Sequence, residues 1–167
     1  MTLLIFQTYG ISDPVALVFR TPASVAVWLV RVVQIGVNLT LTEVAFFLAH
    51  RALHVSPLLS PLHKMHHCCR WASNTTNALF HPLDLALEFA GPYLCVVGMH
   101  ACAWTDTSVL FLSLFIVQFW YAFDHSDMLQ LAHYAHHTTI NRNYAIYTRW
   151  ADASATPDLV KQSLKFT

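Results

Sequence analysis

Apolar and polar residues alternate in long blocks along the chain rather than every second or fourth position. Residues 1–19 are apolar but are broken by GISDP, where Asp13-Pro14 interrupts the run, so they read as an interfacial or partial membrane segment. Pro22 then opens PASVAVWLVRVVQIGVNLTLTEVAFFLA, residues 22–49, long enough as a helix to cross ~30 Å of hydrocarbon with some tilt. Arg31 and Glu43 interrupt it, and ionisable groups at such depth face protein or a polar cavity. Residues 50–81 are polar and rich in histidine. Two further apolar arms follow, PLDLALEFAGPYLCVVGM (82–99) and SVLFLSLFIVQFWYAF (108–123), joined by HACAWTDT. Each arm is a little short of the ~20 residues of a full crossing, so the pair predicts a thin or re-entrant helical hairpin. Residues 124–167 are polar again. The pattern predicts an all-α integral membrane helical bundle with a histidine-rich helical cap, built as a single domain over residues 1–167.

Composition sharpens the membrane reading. Hydrophobic residues reach 56% and charged ones only 11%, against about 25% charged in a soluble domain, too little to cover a water-facing surface. Lysine plus arginine equals aspartate plus glutamate, nine each, so no nucleic-acid partner is expected. Cys68, Cys69, Cys95 and Cys102 make no CxxC pair and no disulfide framework. The N-terminus lacks a basic flank and a small-residue cleavage site, so no cleavable signal peptide is expected. A hairpin returns the chain to the side it left, so 50–81 and 124–167 share a compartment. Arg51, Lys64, Arg70, Arg142, Arg149, Lys161 and Lys165 all lie there, and that excess of positive charge predicts the cytoplasmic side.

The histidines follow the same division. Of eleven, only His100 sits in the hairpin tip. The others are His50, His54, His63, His66, His67, His81, His125, His133, His136 and His137. His50 and His54 are i and i+4, and HKMHH (63–67) and HYAHH (133–137) add i+3 to that spacing, so each box shares a face on a helix. Neutral imidazole binds iron, zinc, copper and nickel. One zinc takes at most four protein ligands, so ten convergent histidines predict two metal ions with open positions. Ligating histidines donate their other N–H to a carboxylate or carbonyl. Glu43, Asp84 and Asp124 are the candidates for that role, with Glu88 and Asp127 beside them.

HxxxH (50–54), HxxHH (63–67), HPLD (81–84), DHSD (124–127) and HxxHH (133–137) together resemble the fatty acid hydroxylase/sterol desaturase superfamily over roughly residues 43–152. HRALHVSPLLSPLHKMHH is especially similar, with eight residues between the first two boxes. The resemblance implies a non-haem centre of two iron ions, with zinc able to substitute, on the cytoplasmic side of an endoplasmic-reticulum-type membrane. It implies use of O2 to hydroxylate or desaturate a C–H bond of a sterol or fatty acyl lipid. Electrons would come from a donor such as cytochrome b5 and its reductase. The tight gap between the first boxes leans towards hydroxylation. Asp84 stands where family members usually carry Glu, and ADASAT (151–156) departs from the usual tail. Two other readings remain open: a histidine-rich membrane metal-binding or transport protein, and an inactive shortened family member. Phe46, Phe47, Phe119, Trp120 and Phe123 are the candidate lining of a lipid slot.

Overall fold

The computed structural model describes residues 24–68, 73, 79–125, 132–140, 143–148 and 150–155. The apolar run at 1–19, Cys69, Asp127, Arg70, Arg142, Arg149, Lys161 and Lys165 lie outside the described residues. Every regular element among those described is helical.

Helix α1 spans Val25–Val55, longer than the apolar run that predicted it. The side chain of Ser24 caps its start by accepting from the Val27 N–H. It stops at Ser56 because Pro57 drives the residue before it out of the helical region, and Ser56 sits at ψ 122°. At ~1.5 Å per residue α1 is about 46 Å long, against ~30 Å of hydrocarbon. The helix therefore outruns a membrane-length stretch by about 16 Å, roughly three turns.

The surface of α1 is inverted relative to a soluble helix. Arg31, Asn38, Thr42, Glu43 and His50 are buried, whereas Val25, Leu29, Val32 and Val33 are more than 60% exposed. Lipid is the solvent that makes such an arrangement favourable, since apolar side chains lose nothing there and polar ones must turn inward. Asn38 donates to Ser113 Oγ at 2.9 Å across the bundle.

The hairpin forms, but its first arm is longer than the pattern predicts. Helix α2 is the short Ser60–His63, followed by a 3₁₀ turn at His66–Cys68. Helix α3 covers Pro82–Ala101, long and apolar enough to cross a membrane, as α1 is. Within it, Pro82–Leu85 is α-helical, Ala86–Ala90 is a π turn and Gly91–Ala101 is α-helical. Pro92 accounts for the irregularity: it has no N–H to give the Glu88 carbonyl four residues back, and its ring crowds that turn. The Tyr121 hydroxyl donates to the carbonyl instead, at 2.8 Å.

Helix α4, Thr107–Phe123, begins at Asp106, whose carboxylate accepts from the Val109 N–H. The same carboxylate accepts from Arg31 Nε at 2.8 Å, and Gln34 donates to the Trp104 carbonyl, so the hairpin tip is fastened to α1. His100 donates to the Thr105 carbonyl at 2.9 Å and belongs to that tip. Phe46, Tyr93, Val96, Leu110, Leu114, Val117, Tyr121 and Ile146 form the core where α1, α3 and α4 meet. Two short helices complete the described chain, α5 at Ala132–Thr139 and α6 at Trp150–Ala155.

Candidate metal centre

Nine of the ten convergent histidines gather into two groups at the end of α1. His50, His54, His63, His67 and His136 form one, with ligand atoms all within 4.8 Å of one another. His66, His125, His133 and His137 form the other on the same criterion. The groups touch: the rings of His67 and His137 lie 4.4 Å apart, and those of His50 and His133 4.8 Å.

The boxes do not each serve one group. Residues at i and i+4 stay together, so His50 and His54, and His63 and His67, face the first group, while His133 and His137 face the second. The middle histidine of each HxxHH box crosses over: His66 joins the second group and His136 the first. The 63–67 box does this across a break, where the chain leaves α2 after His63 and re-coils as a 3₁₀ turn at His66, and the 133–137 box does it within the single helix α5.

Backbone and carboxylate partners fix three of the rings. His50 Nδ1 donates to the Tyr144 carbonyl at 2.8 Å, and His63 Nδ1 to both oxygens of Asp84 at 3.0 Å. His125 Nδ1 donates to Asp124 Oδ1. With Nδ1 protonated, each neutral ring turns a lone pair on Nε2 into its group. Tyr144 is held in turn by Asp152, which accepts from the N–H groups of Tyr144 and Ala145.

These nitrogens fit a metal. Nε2 atoms face each other at 3.2 Å for His50 and His54, 3.0 Å for His63 and His67, 2.9 Å for His54 and His136, and 3.0 Å for His66 and His125. Ligand atoms at right angles about an ion with ~2.1 Å metal–nitrogen bonds are about 3.0 Å apart. Both ring nitrogens of His133 and of His137, and Nδ1 of His66 and His67, are buried without a hydrogen-bond partner. Burial holds the rings neutral, the form that ligates. It lowers His66, His67 and His133 well below their usual range, helped by neighbouring imidazoles, and lowers His137 to about 3. Burial also raises Asp124, although its bond to His125 opposes the shift.

Comparison with known proteins agrees with this geometry. The model of one family, described as fatty acid hydroxylase, matches residues 35–155. The chain belongs to the fatty acid hydroxylase family. A similar protein, "Putative Delta(7)-sterol-C5(6)-desaturase 2" of Arabidopsis thaliana, is 31% identical over 137 residues, covering 75% of this chain and 48% of that protein. The chain thus spans about half the length of that relative. No solved structure matches this chain.

In this fatty acid hydroxylase chain His81 stands apart from both groups. Its side chain accepts from the Leu83 N–H and caps α3, with Pro82 at the first helical position. Glu43 meets no ring N–H; it accepts instead from the Tyr147 and Thr148 N–H groups and the Thr148 hydroxyl. Glu43 and Asp152 together strap residues 144–148 over α1, and the strap supplies the carbonyl that orients His50. The sequence carries no local signal for Asp152. The five candidate slot aromatics separate. Phe46 packs on His50 and His133, while Phe119 packs on Phe123 at the bundle's outer face. A cavity of about 480 Å³ reaches His54, His63 and His67 from the side of α2, lined also by Lys64, Ile140 and Tyr144.

Proposed function

We propose that the chain is an O2-dependent di-iron oxidase of the membrane that hydroxylates or desaturates a lipid C–H bond. The observation that carries the reading is the pair of adjacent all-histidine groups, whose facing nitrogens sit at ligand spacing. His50, His54, His63, His67 and His136 would hold one ion, and His66, His125, His133 and His137 the other. Bound iron supplies the activation of O2 and the removal of hydrogen from an unactivated carbon.

The chain's own residues orient, exclude water and admit substrate. Asp84, Asp124 and the Tyr144 carbonyl hold their rings in the Nε2-ligating tautomer. Phe46 and Tyr121 seal the groups from the bilayer side of the core. A sterol is the favoured substrate class, because the curated relative carries a sterol desaturase name, with a fatty acyl lipid as the alternative. Hydroxylation and desaturation begin with the same hydrogen removal and part at the next step. A one-electron donor such as cytochrome b5 with its reductase would approach the histidine end, where Arg51 and Lys64 lie. We place that end on the cytoplasmic face of an endoplasmic-reticulum-type membrane.

The test pairs metal analysis with turnover. Wild-type protein should carry two ions per chain, and His67→Ala and His137→Ala should lose metal and activity together. In yeast microsomes with NADH, a sterol gaining one oxygen or losing two hydrogens in an O2-dependent reaction is the expected product. Full metal content in both variants would show the rings to be core histidines. Iron-loaded protein without any product would favour an inactive chain.

A further inference from the structure

Beside the first histidine group lies a carboxylate that the histidine boxes do not call for. Glu88 is 1% exposed, on the π turn of α3, and its Oε1 has no hydrogen-bond partner. Oε1 is 3.8 Å from His50 Nε2 and 3.8 Å from His63 Nδ1. Neither nitrogen has a proton to offer. That of His50 is on Nδ1, committed to the Tyr144 carbonyl, and that of His63 Nδ1 is committed to Asp84. A lone pair on His50 Nε2 and an acceptor oxygen on Glu88 therefore face each other inside the protein. Two acceptors so placed repel, and a carboxylate oxygen without a partner away from water is costly; a cation between them relieves both.

We propose that Glu88 is an oxygen ligand of the metal ion held by His50, His54, His63, His67 and His136. This inference rests on the di-metal reading and deepens it: one site becomes mixed imidazole and carboxylate, while the other stays all imidazole. The anionic oxygen offsets part of the charge of a dication that five neutral rings leave uncompensated. It also biases that site towards iron or manganese, which accept oxygen donors, over copper. The position depends on the backbone. Asp84 and Glu88 are i and i+4 along the start of α3, and with His63 they form a group of their own that shares this histidine with the five-histidine group. The π turn beside Pro92 sets where Glu88 falls in that register.

The experiment uses the full chain in detergent, stripped of metal and reloaded with Fe(II) without oxygen or with Co(II). Metal affinity is read by chelator competition, and the Co(II) absorption spectrum reports the donor set. Glu88→Gln should weaken one ion 10–100-fold or worse, and that ion more than the other, with an altered Co(II) spectrum. Glu88→Asp, keeping the charge on a shorter arm, should recover part of the loss. Should the Gln variant fold poorly, the Asp variant decides, because a displaced oxygen must still weaken one ion. Two ions at wild-type affinity with an unchanged Co(II) spectrum, in either variant, would overturn the proposal. His67→Ala is the control that separates the two readings. If it too holds both ions unchanged, the metal centre itself fails, whereas normal binding by the Glu88 variants alone removes only the carboxylate ligand.

Discussion

At the scale of single residues, the histidines combine burial with an unusual density of imidazole. In the unfolded chain each titrates near 6.5. Folding lowers His137 to about 3 and lowers His66, His67 and His133 as well. As pH falls below about 6.5 the unfolded chain takes up protons that the folded chain refuses. Stability present above that pH is therefore lost progressively towards pH 3. Metal-free protein in detergent should show a melting temperature that is level near pH 7.5 and drops steadily from pH 6.5 downwards. A profile that stays level to pH 5 would mean the rings are open to water. Most of these positions were legible in the sequence, because spacing alone marks i, i+4 pairs. Glu43 was not. It is seven residues before His50 and on the same face, yet seven residues rise about 10 Å, so it meets residues 147 and 148 instead. His81 carried its own clue: a polar residue before proline is a helix start.

At the scale of elements, the π turn of α3 and helix α4 depend on each other. Pro92 leaves the Glu88 carbonyl without its backbone donor, and Tyr121 replaces it from α4. Tyr121→Phe should therefore cost about 1–3 kcal/mol, the penalty for stranding a buried acceptor. Pro92→Ala in the same chain restores an N–H at that position, so the double variant should lose much less than the sum of the two single changes. Unfolding in detergent measures each corner of that cycle, and strict additivity would mean that the two residues do not share the carbonyl. The apolar arms of the hairpin could be read from hydropathy. The π turn could not be placed from sequence, since Pro92 predicts a disturbance while its form depends on Tyr121 in another helix. The extension of α1 through His50 and His54 escaped the hydropathy boundary because helix and apolar run end for different reasons, one at Pro57 and the other at the bilayer edge.

At the scale of the whole molecule, α1 acts as a ruler. Arg31 marks one end through Asp106, and His50 the other through Tyr144. The rise between them is about 28 Å at ~1.5 Å per residue, close to the ~30 Å of hydrocarbon. With the native cysteines replaced, single cysteines at positions 73 and 154 should react with a membrane-impermeant reagent from one side, and a cysteine at 103 only from the other. Labelling of 73 and 154 from opposite sides would break the bundle as described. What hydropathy and spacing could not reveal is the exchange of His66 and His136 between the two groups, because it needs the relative placement of three separate segments. On the two-ion reading, that exchange couples the sites. An ion at either one draws on both HxxHH boxes, so its binding orders a box that the other ion also needs, and part of the entropy of the second event is spent by the first. Coupling of this kind is reciprocal. On that reading the chain would fill cooperatively, with little of a half-loaded, single-ion form between empty and fully loaded.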